Sequence, residues 1–573
     1  MCTAPLYGRP PGPPVPGGSS PVPYHDTVSS SVRAPAPAPA TRPAPPVSTL
    51  PRSLAPDALR ARLLPAPATV GRLAWLAPLL VVVLGGVLRF WHLGHPDAIV
   101  FDETYYVKDS YSLLRYGYER QWPEGADELF VAGTPPEALD TPSYVVHPPV
   151  GKWLIAAGMW LFGAQDPFGW RFSAALVGTL SVALVCAAGW LLFRSVTVAT
   201  LAGLFTAVDG LHLVQSRLAL LDVFLMFFVL LAFVLLLLDR AHARRRLVAR
   251  LGVAGPGTAE SELRSRLAWG PWLGVRWWRI AAGAACGLAV GTKWNALFMV
   301  AALGVLTVLW DMNARRVAGV RHWLRAGLLR DGIPAFLAVV GTGLVAYLLS
   351  WSGWFASSGA YHRTWAAEHP GEGVAWLPAP LRSLWAYHVA AFDFHNGLGT
   401  PHSYEALPWL WLVLGRPTSY YYESPAQGTA GCAVENCSQA ILNIGNPLLW
   451  WTAIAALLVA VWLWAARRDW RFGAPLGLFA AGYLPWYLYP ERTMFYFYAL
   501  PVEPYLMLLL AGMLGLVLGG PQRTVARRRA GLVVVGLFTA TALVLSAHFA
   551  PIWFAETVPY EQWRQRMWFD AWI

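Results

Sequence analysis

The chain has 573 residues, 56% of them hydrophobic and only 13% charged, with a formal net charge of +11. An ordinary soluble domain carries about 25% charged residues, so a soluble globular protein is excluded, and the mean hydropathy of +0.43 agrees. The positive charge does not describe a nucleic-acid face, because its arginines gather in short clusters between long apolar runs, the pattern of cytoplasmic loops in a membrane protein.

Residues 1–70 come first and stand apart. PGPPVPGGSSPVP and VRAPAPAPATRPAPP are too rich in Pro and Ala to bury a core, so a disordered cytoplasmic tail is expected, with no apolar core of a cleaved signal peptide. From residue 71 to 550 the chain alternates apolar runs with polar loops. Spans are expected at 73–92, 170–193, 196–214, 218–238, 279–292, 294–310, 333–351, 447–465, 472–489, 495–517 and 531–549. The run LALLDVFLMFFVLLAFVLLLL at 218–238 is typical. About 20 apolar residues in a helix cross a ~30 Å hydrocarbon core, and only helices or closed barrels satisfy their backbone groups there. The stretch 150–163 is short for a span and reads as an interfacial or re-entrant helix. Leaving it uncounted puts every arginine cluster on the cytoplasmic side: Arg240–Arg250, Arg315–Arg330, Arg467–Arg471 and Arg523–Arg529. Eleven spans then leave two large external loops, 93–169 and 352–446, and an external C-terminal segment, 551–573, to which no role is assigned and for which an amphipathic surface helix is one option.

This arrangement collects ionisable residues of both signs on the external side. Singly, such groups are mostly anchors; converging, they mark a reaction site. The first external loop opens with FDETYY, where Asp102 or Glu103 at the bilayer edge is placed to act as a general base. The same loop ends in HPPVGKW, whose two prolines fix a turn that holds His147 and Lys152 near the headgroups. Arg171 opens the second span; Arg217 and Asp222 flank the fourth and form an ion pair or serve the site. Lys293 sits in GTKWN, at an external reversal between two short spans. The second loop carries HNGLGTPHSYEALPW, with His395, Asn396, His402 and Glu405, but the spacing matches no closed zinc pattern, so no metal is assigned. Cys432 and Cys437, five apart in the same loop, are a disulfide candidate. Arg492, in PWYLYPERTMFYFYALP, either anchors a helix or grips a phosphate through its two-pronged guanidinium.

Taken together, the acidic pair, HPPxGK, the WRF arginine, LLD, GxKWN, HxYExxPW and PxRxxFxxYxxP run in an order that resembles the protein O-mannosyltransferases, actinobacterial members above all. The resemblance spans about residues 73–518. It implies an all-α GT-C fold of about eleven transmembrane helices in the cell membrane, with an extracytoplasmic site. The implied reaction moves mannose from polyprenyl-phosphate-mannose to Ser or Thr of secreted proteins, with inversion at the anomeric carbon. In that reading Asp102 takes the hydroxyl proton and Glu103 orients the acceptor. His147, Lys152, Arg171, Asp222, Lys293, His402 and Arg492 are assigned to the lipid phosphate and sugar. The lipid-linked donor is already activated, so no cofactor is expected. Membrane lipids and the Sec translocon are the implied surroundings, with no nucleic acid. The second loop lacks the large sugar-binding insert of the eukaryotic enzymes. Two other functions share part of this pattern: a related transferase of another lipid-linked sugar, such as arabinose, and a secondary transporter. The transporter reading lacks the paired repeats and midplane charges such proteins use.

Overall fold

Backbone amides in a bilayer must pair within their own segment, and this chain meets that demand with helices. The computed structural model describes residues 56–65, 70–252, 260–520 and 524–573. Eight helical stretches there are long and apolar enough to cross a membrane: Arg72–Phe90, Pro167–Phe193, Asp222–Leu251, Ala296–Val317, Trp323–Ser350, Pro447–Arg467, Tyr496–Leu518 and Val525–Ile552. Three shorter helices, Val196–Val208, Trp277–Val290 and Trp470–Tyr483, occupy the other stretches where spans are expected. Asp222–Leu251 and Tyr496–Leu518 are buried over most of their length and form the centre of the bundle. The Trp277–Val290 helix packs very close to Trp323–Ser350: a Cβ on Gly283 or Gly287 would lie 2.1 Å from a carbonyl oxygen of the facing helix. Trp323–Ser350 itself contains two π-helical stretches, Gly327–Gly332 and Leu337–Gly341, around Pro334.

The short apolar helix Val150–Phe162 keeps both ends on one side of the bundle. Val150 N donates to Gly291 O (2.9 Å) in the Lys293 turn. After Gly163 the chain runs directly into Pro167–Phe193, whose capping Asp166 abuts Gly94. This side, the loop end, also carries residues 93–149, 352–446 and 551–573. They interlock through Tyr144 Oη to Ala390 O (2.9 Å), Gln439 Nε2 to Ala555 O (3.0 Å) and a ring contact of Phe101 on Tyr420 (4.6 Å). A small antiparallel sheet stiffens the assembly: β1 (Thr418–Glu423), β2 (Cys437–Asn443) and β3 (Val558–Pro559), in the order β1-β2-β3. Cys432 and Cys437 are disulfide-bonded at the entry to β2, their Cα atoms 5.9 Å apart.

The opposite side, the arginine end, holds a buried network. Arg276 and Arg279 are each shared between Asp239 and Asp311, over 2.5–3.1 Å, and Arg315 pairs with Asp331 (2.5 Å).

Two boundaries are corrected. Of the tail expected at 1–70, residues 1–55 and 66–69 lie outside the described residues, but Pro56–Leu63 is a helix rather than unstructured chain. Leu59 and Leu63, four apart and so on one face, are buried beside Leu247, Val248 and Leu251 at the end of the Asp222–Leu251 helix. The C-terminal segment is not a surface helix. It supplies β3, buries Trp563, Met567 and Trp572, and gives the carbonyls of Ala571 and Ile573 to Arg416 (2.5 and 2.8 Å).

Candidate active site

A cavity of about 290 Å³ opens at the loop end, walled by three breaks in the helical pattern. The first is the Gly291–Asn295 turn, which presents Lys293, Trp294 and Asn295. The second is the turn before Val150–Phe162, which presents His147. That turn is pinned to the Ala379–Gly397 helix: Tyr387 Oη donates to Val145 O (2.7 Å), and His395 Nε2 pairs with Val146 O (3.0 Å). The third is the 489–495 loop, which presents Tyr489 and Arg492 and is laid along residues 398–406. There Thr493 N donates to Leu398 O (3.0 Å) and Ala406 N to Met494 O (2.7 Å). Asp222, at the head of its long helix, closes the floor. Leu297 and Phe298 line the cavity and are also exposed on the outer face of the bundle, so its wall continues onto apolar surface.

Electrostatics separate the charged groups. Asp222 and Lys293, both buried, form an ion pair (2.7 Å). Asp222 Oδ1 and Asn295 Oδ1 are buried acceptors without a partner among the described residues. Burial pulls Lys293 down, but Asp222, Tyr498 and Asp102 outweigh it and leave the ammonium above its ordinary value. The two imidazoles are stacked, 5.0 Å between ring centres. Burial, reinforced by Lys293, holds His147 well below its usual value; burial likewise brings His395 down to about 4. Both are therefore neutral at pH 7, and the histidines supply no positive charge. Arg492 does: its Nη1 donates to His395 O (2.5 Å), and among the described ion pairs it has no carboxylate. Within this wall Arg492 is the cation whose charge is not cancelled.

Asp102 precedes the Glu103–Tyr116 helix, and its side chain does not cap it. Phe101 before it adopts φ +51°, a region L-residues seldom use, and is wedged against Tyr420 and Phe497. Burial pushes the Asp102 carboxyl up to about 6; Lys293 opposes that rise, Asp222 adds to it, and a Tyr106 hydrogen bond opposes it. The same influences place Asp102 within electrostatic reach of the Lys293–Asp222 pair.

Three expected site residues are instead locked into the frame. Glu103 is wholly buried: Oε1 accepts from Arg171 Nε (2.9 Å) and Ala219 N (2.8 Å), and Oε2 from Arg171 Nη2 (2.9 Å) and Val100 N (3.1 Å). The remaining Arg171 donors go to the carbonyls of Leu93, Pro96 and Ala98. Neither side chain has capacity left for a substrate, so the acceptor-orienting role of Glu103 and the phosphate role of Arg171 are withdrawn. Lys152, also buried, is held by Glu119 (2.5 Å), with Asp109 at 3.9 Å, and leaves the phosphate set for the same reason. His402 is exposed, takes a hydrogen bond from Tyr404 N and leans on Phe495, outside the cavity wall. Arg217 does not pair with Asp222; it donates to the carbonyls of Leu88, Arg89, Trp91 and His92, closing the end of the first long helix. Asn295, Tyr489 and Tyr498 line the cavity without having been singled out; neutral side chains give no charge signal to find them by.

The helical bundle, with its cavity between reversal loops at one end, defines a multi-pass membrane protein. Residues 79–253 match the dolichyl-phosphate-mannose-protein mannosyltransferase family, and residues 380–572 match the C-terminal four-transmembrane region of protein-O-mannosyltransferase. The chain is 36% identical over 511 residues to the polyprenol-phosphate-mannose–protein mannosyltransferase of Mycolicibacterium smegmatis, covering 87% of this chain and 93% of that one. It is 31% identical to the Corynebacterium glutamicum enzyme of the same name, covering 86% and 92%. Its fold is similar to that of the Saccharomyces cerevisiae protein O-mannosyltransferase Pmt1-Pmt2 complex bound to the sugar donor. That likeness has a TM-score of 0.63 at 16% identity and covers 88% of this chain and 93% of that one. The chain belongs to the protein O-mannosyltransferase family.

Proposed function

We propose that this protein transfers mannose from polyprenyl-phosphate-mannose to Ser and Thr hydroxyls of exported proteins, at the cavity between His147, Asp222, Lys293 and Arg492. The observation that carries this reading is an uncancelled Arg492 on a wall continuous with apolar bundle surface, with the Asp102 carboxyl, off that wall but within electrostatic reach of its Lys293–Asp222 pair, pushed up to about 6. A lipid phosphate needs the arginine, a polyprenyl tail the apolar surface, and an acceptor hydroxyl the carboxylate. The leaving phosphate gains charge as the sugar bond breaks, and a fixed guanidinium stabilises that charge most at the transition state. Asp102 takes the acceptor proton while the hydroxyl oxygen bonds to the anomeric carbon and the phosphate departs; a single displacement inverts that carbon. Asp222 Oδ1, Asn295 Oδ1 and, with Nε2 donating to Val146 O, His395 Nδ1 are buried acceptors available to the sugar hydroxyls. The donor ester is already activated, so the step needs no cofactor. The arginine end faces the cytoplasm by the positive-inside rule, which puts the cavity on the outer side of the cell membrane, where chains leaving the Sec translocon present unfolded Ser and Thr.

The test uses the purified full-length protein in lipid, polyprenyl-phosphate-[14C]mannose and a Ser/Thr/Pro/Ala-rich peptide, with Asp102→Asn alongside. Label on the peptide with wild type alone supports both reaction and base. Transfer that survives in Asp102→Asn removes the base assignment. Transfer from another lipid-linked sugar, but not from mannose, replaces the donor.

A further inference from the structure

The arginine end contains a second cavity, of about 570 Å³, that shares no lining residue with the first. It lies between the C-terminal turns of Pro167–Phe193, the arginine-bearing half of Asp222–Leu251, the end of Pro56–Leu63 and the start of Trp470–Tyr483. Arg62, Arg194, Arg240, Arg244, Arg245 and Arg471 line it, with no Asp or Glu among the lining residues. Some of that charge is answered locally. Arg471 is paired with Asp469 (2.5 Å), and Arg244 Nη1 donates to Leu63 O (3.2 Å). Arg240 lies on the Trp470 ring, 3.4 Å from guanidinium carbon to ring centre, which fixes the side chain without giving its N–H groups an acceptor. The Nε atoms of Arg240 and Arg244 are buried with no hydrogen-bond partner among the described residues, and Arg244 as a whole is 8% exposed.

The neighbouring network shows what is missing. Arg276, Arg279 and Arg315, buried at the same end, each hold a carboxylate. A buried guanidinium N–H left without an acceptor, as at the Nε of Arg240 and of Arg244, is costly, and a ligand that brings oxygens removes that cost. The other half of the cavity wall is Leu191, Leu192, Phe193 and Leu237, all apolar. Cations beside an apolar wall at the end of a transmembrane bundle suit a phosphate carried on acyl chains better than a fully hydrated ion. We infer that this cavity binds the phosphate headgroup of an anionic phospholipid from the leaflet at the arginine end, with Arg240 and Arg244 as its principal ligands. The site is independent of the donor cavity and of the transfer reaction.

The test extracts the full-length protein from vesicles of phosphatidylglycerol and phosphatidylcholine in equal amounts and measures retained lipid by native mass spectrometry. Inorganic phosphate is added as a competitor, and thermal melting reports the fold of each variant. Wild type retains phosphatidylglycerol over phosphatidylcholine, and Arg240→Gln/Arg244→Gln retains about tenfold less. Because Arg244 also holds Leu63, the single Arg240→Gln, which breaks none of the described hydrogen bonds, is measured beside it and shows a loss in the same direction. Arg528→Gln, at an exposed arginine outside the cavity, retains lipid as wild type does. Equal retention in wild type and the Arg240 variants, or an equal loss in Arg528→Gln, overturns the site. Complete displacement by inorganic phosphate overturns the lipid assignment in favour of free phosphate.

Discussion

The buried ion pairs Glu103–Arg171 and Lys152–Glu119 and the charged groups of the loop-end cavity are made of the same kinds of side chain, in places within a few residues of each other. Glu103 spends both oxygens on Arg171 and two backbone amides, and Lys152 is taken up by Glu119. One residue earlier, Asp102 neither caps its helix nor belongs to such a pair, and burial leaves it near neutrality. On the wall, Asp222 keeps an oxygen unpartnered after binding Lys293, and Arg492 has no carboxylate among the described residues. Filled hydrogen-bonding capacity makes a frame; unfilled capacity at a cavity makes a site. The difference comes from the helix start at Glu103, which turns two adjacent carboxylates in different directions, one into the bundle and one towards the Lys293 turn.

The comparison breaks most readily at Asp102. If this carboxylate is the base, Asp102→Asn lowers kcat by about 10²–10⁴-fold, while the melting temperature and donor KM stay near wild type. A variant that melts lower and keeps its kcat would put Asp102 in the frame. Glu103→Gln makes the opposite prediction. Removing one charge of a buried pair costs about 3–5 kcal/mol, so this variant loses thermal stability and yield, and added donor does not restore it. A stable Glu103→Gln protein with a collapsed kcat would return Glu103 to the site. Arg492→Gln sits between them. Losing a charge-assisted phosphate contact of about 1.5–3 kcal/mol raises donor KM roughly 10- to 100-fold with little change in melting, measured by initial rates over donor concentration.

The pH profile sharpens the same contrast. If Asp102 is the base it acts only when ionised, and burial pushes its carboxyl up to about 6. Transfer should hold level above that pH and fall about tenfold per unit as pH drops below it. His147 and His395 are already neutral there and add no second limb near 6, because burial holds His147 well below its usual value and His395 at about 4. An acid limb centred near 4 would detach the rate from Asp102.

Much of the bundle was legible because hydropathy is a property of consecutive residues: all but the first four residues of the run at 218–238 lie within Asp222–Leu251, whichever helices surround it. The cavity was legible where chemistry coincides with a break in those runs. GTKWN, HPP and PER each interrupt an apolar stretch, and their charged residues line or adjoin the cavity for that reason. Pair partners were not legible. Lys152 meets a glutamate 33 positions away and Arg171 one 68 positions away, and no local pattern announces that either cation is spoken for. Nor did the sequence distinguish Arg217, which closes a helix end through carbonyls, from an ion-pair partner of Asp222. The helix at Pro56–Leu63 was hidden by its proline-rich surroundings, since two leucines four apart are a weak signal until the surface that covers them is known.

The smallest expected effect asks what kind of contact the wall offers. Arg492→Lys keeps a positive charge but loses the planar fork, of which Nη1 is already committed to His395 O. If Arg492 holds the lipid phosphate through charge alone, donor KM rises only about twofold to threefold, because an ammonium replaces the guanidinium at similar reach. If the fork sets the geometry, with one prong on the His395 carbonyl and the other on phosphate oxygen, lysine cannot serve both. The loss then approaches that of Arg492→Gln, with kcat falling alongside KM as the phosphate tilts away from Asp102. Equal kinetics for wild type, Arg492→Lys and Arg492→Gln would move the uncancelled charge from the site to the frame, and with it the distinction between the two regions at this end of the cavity.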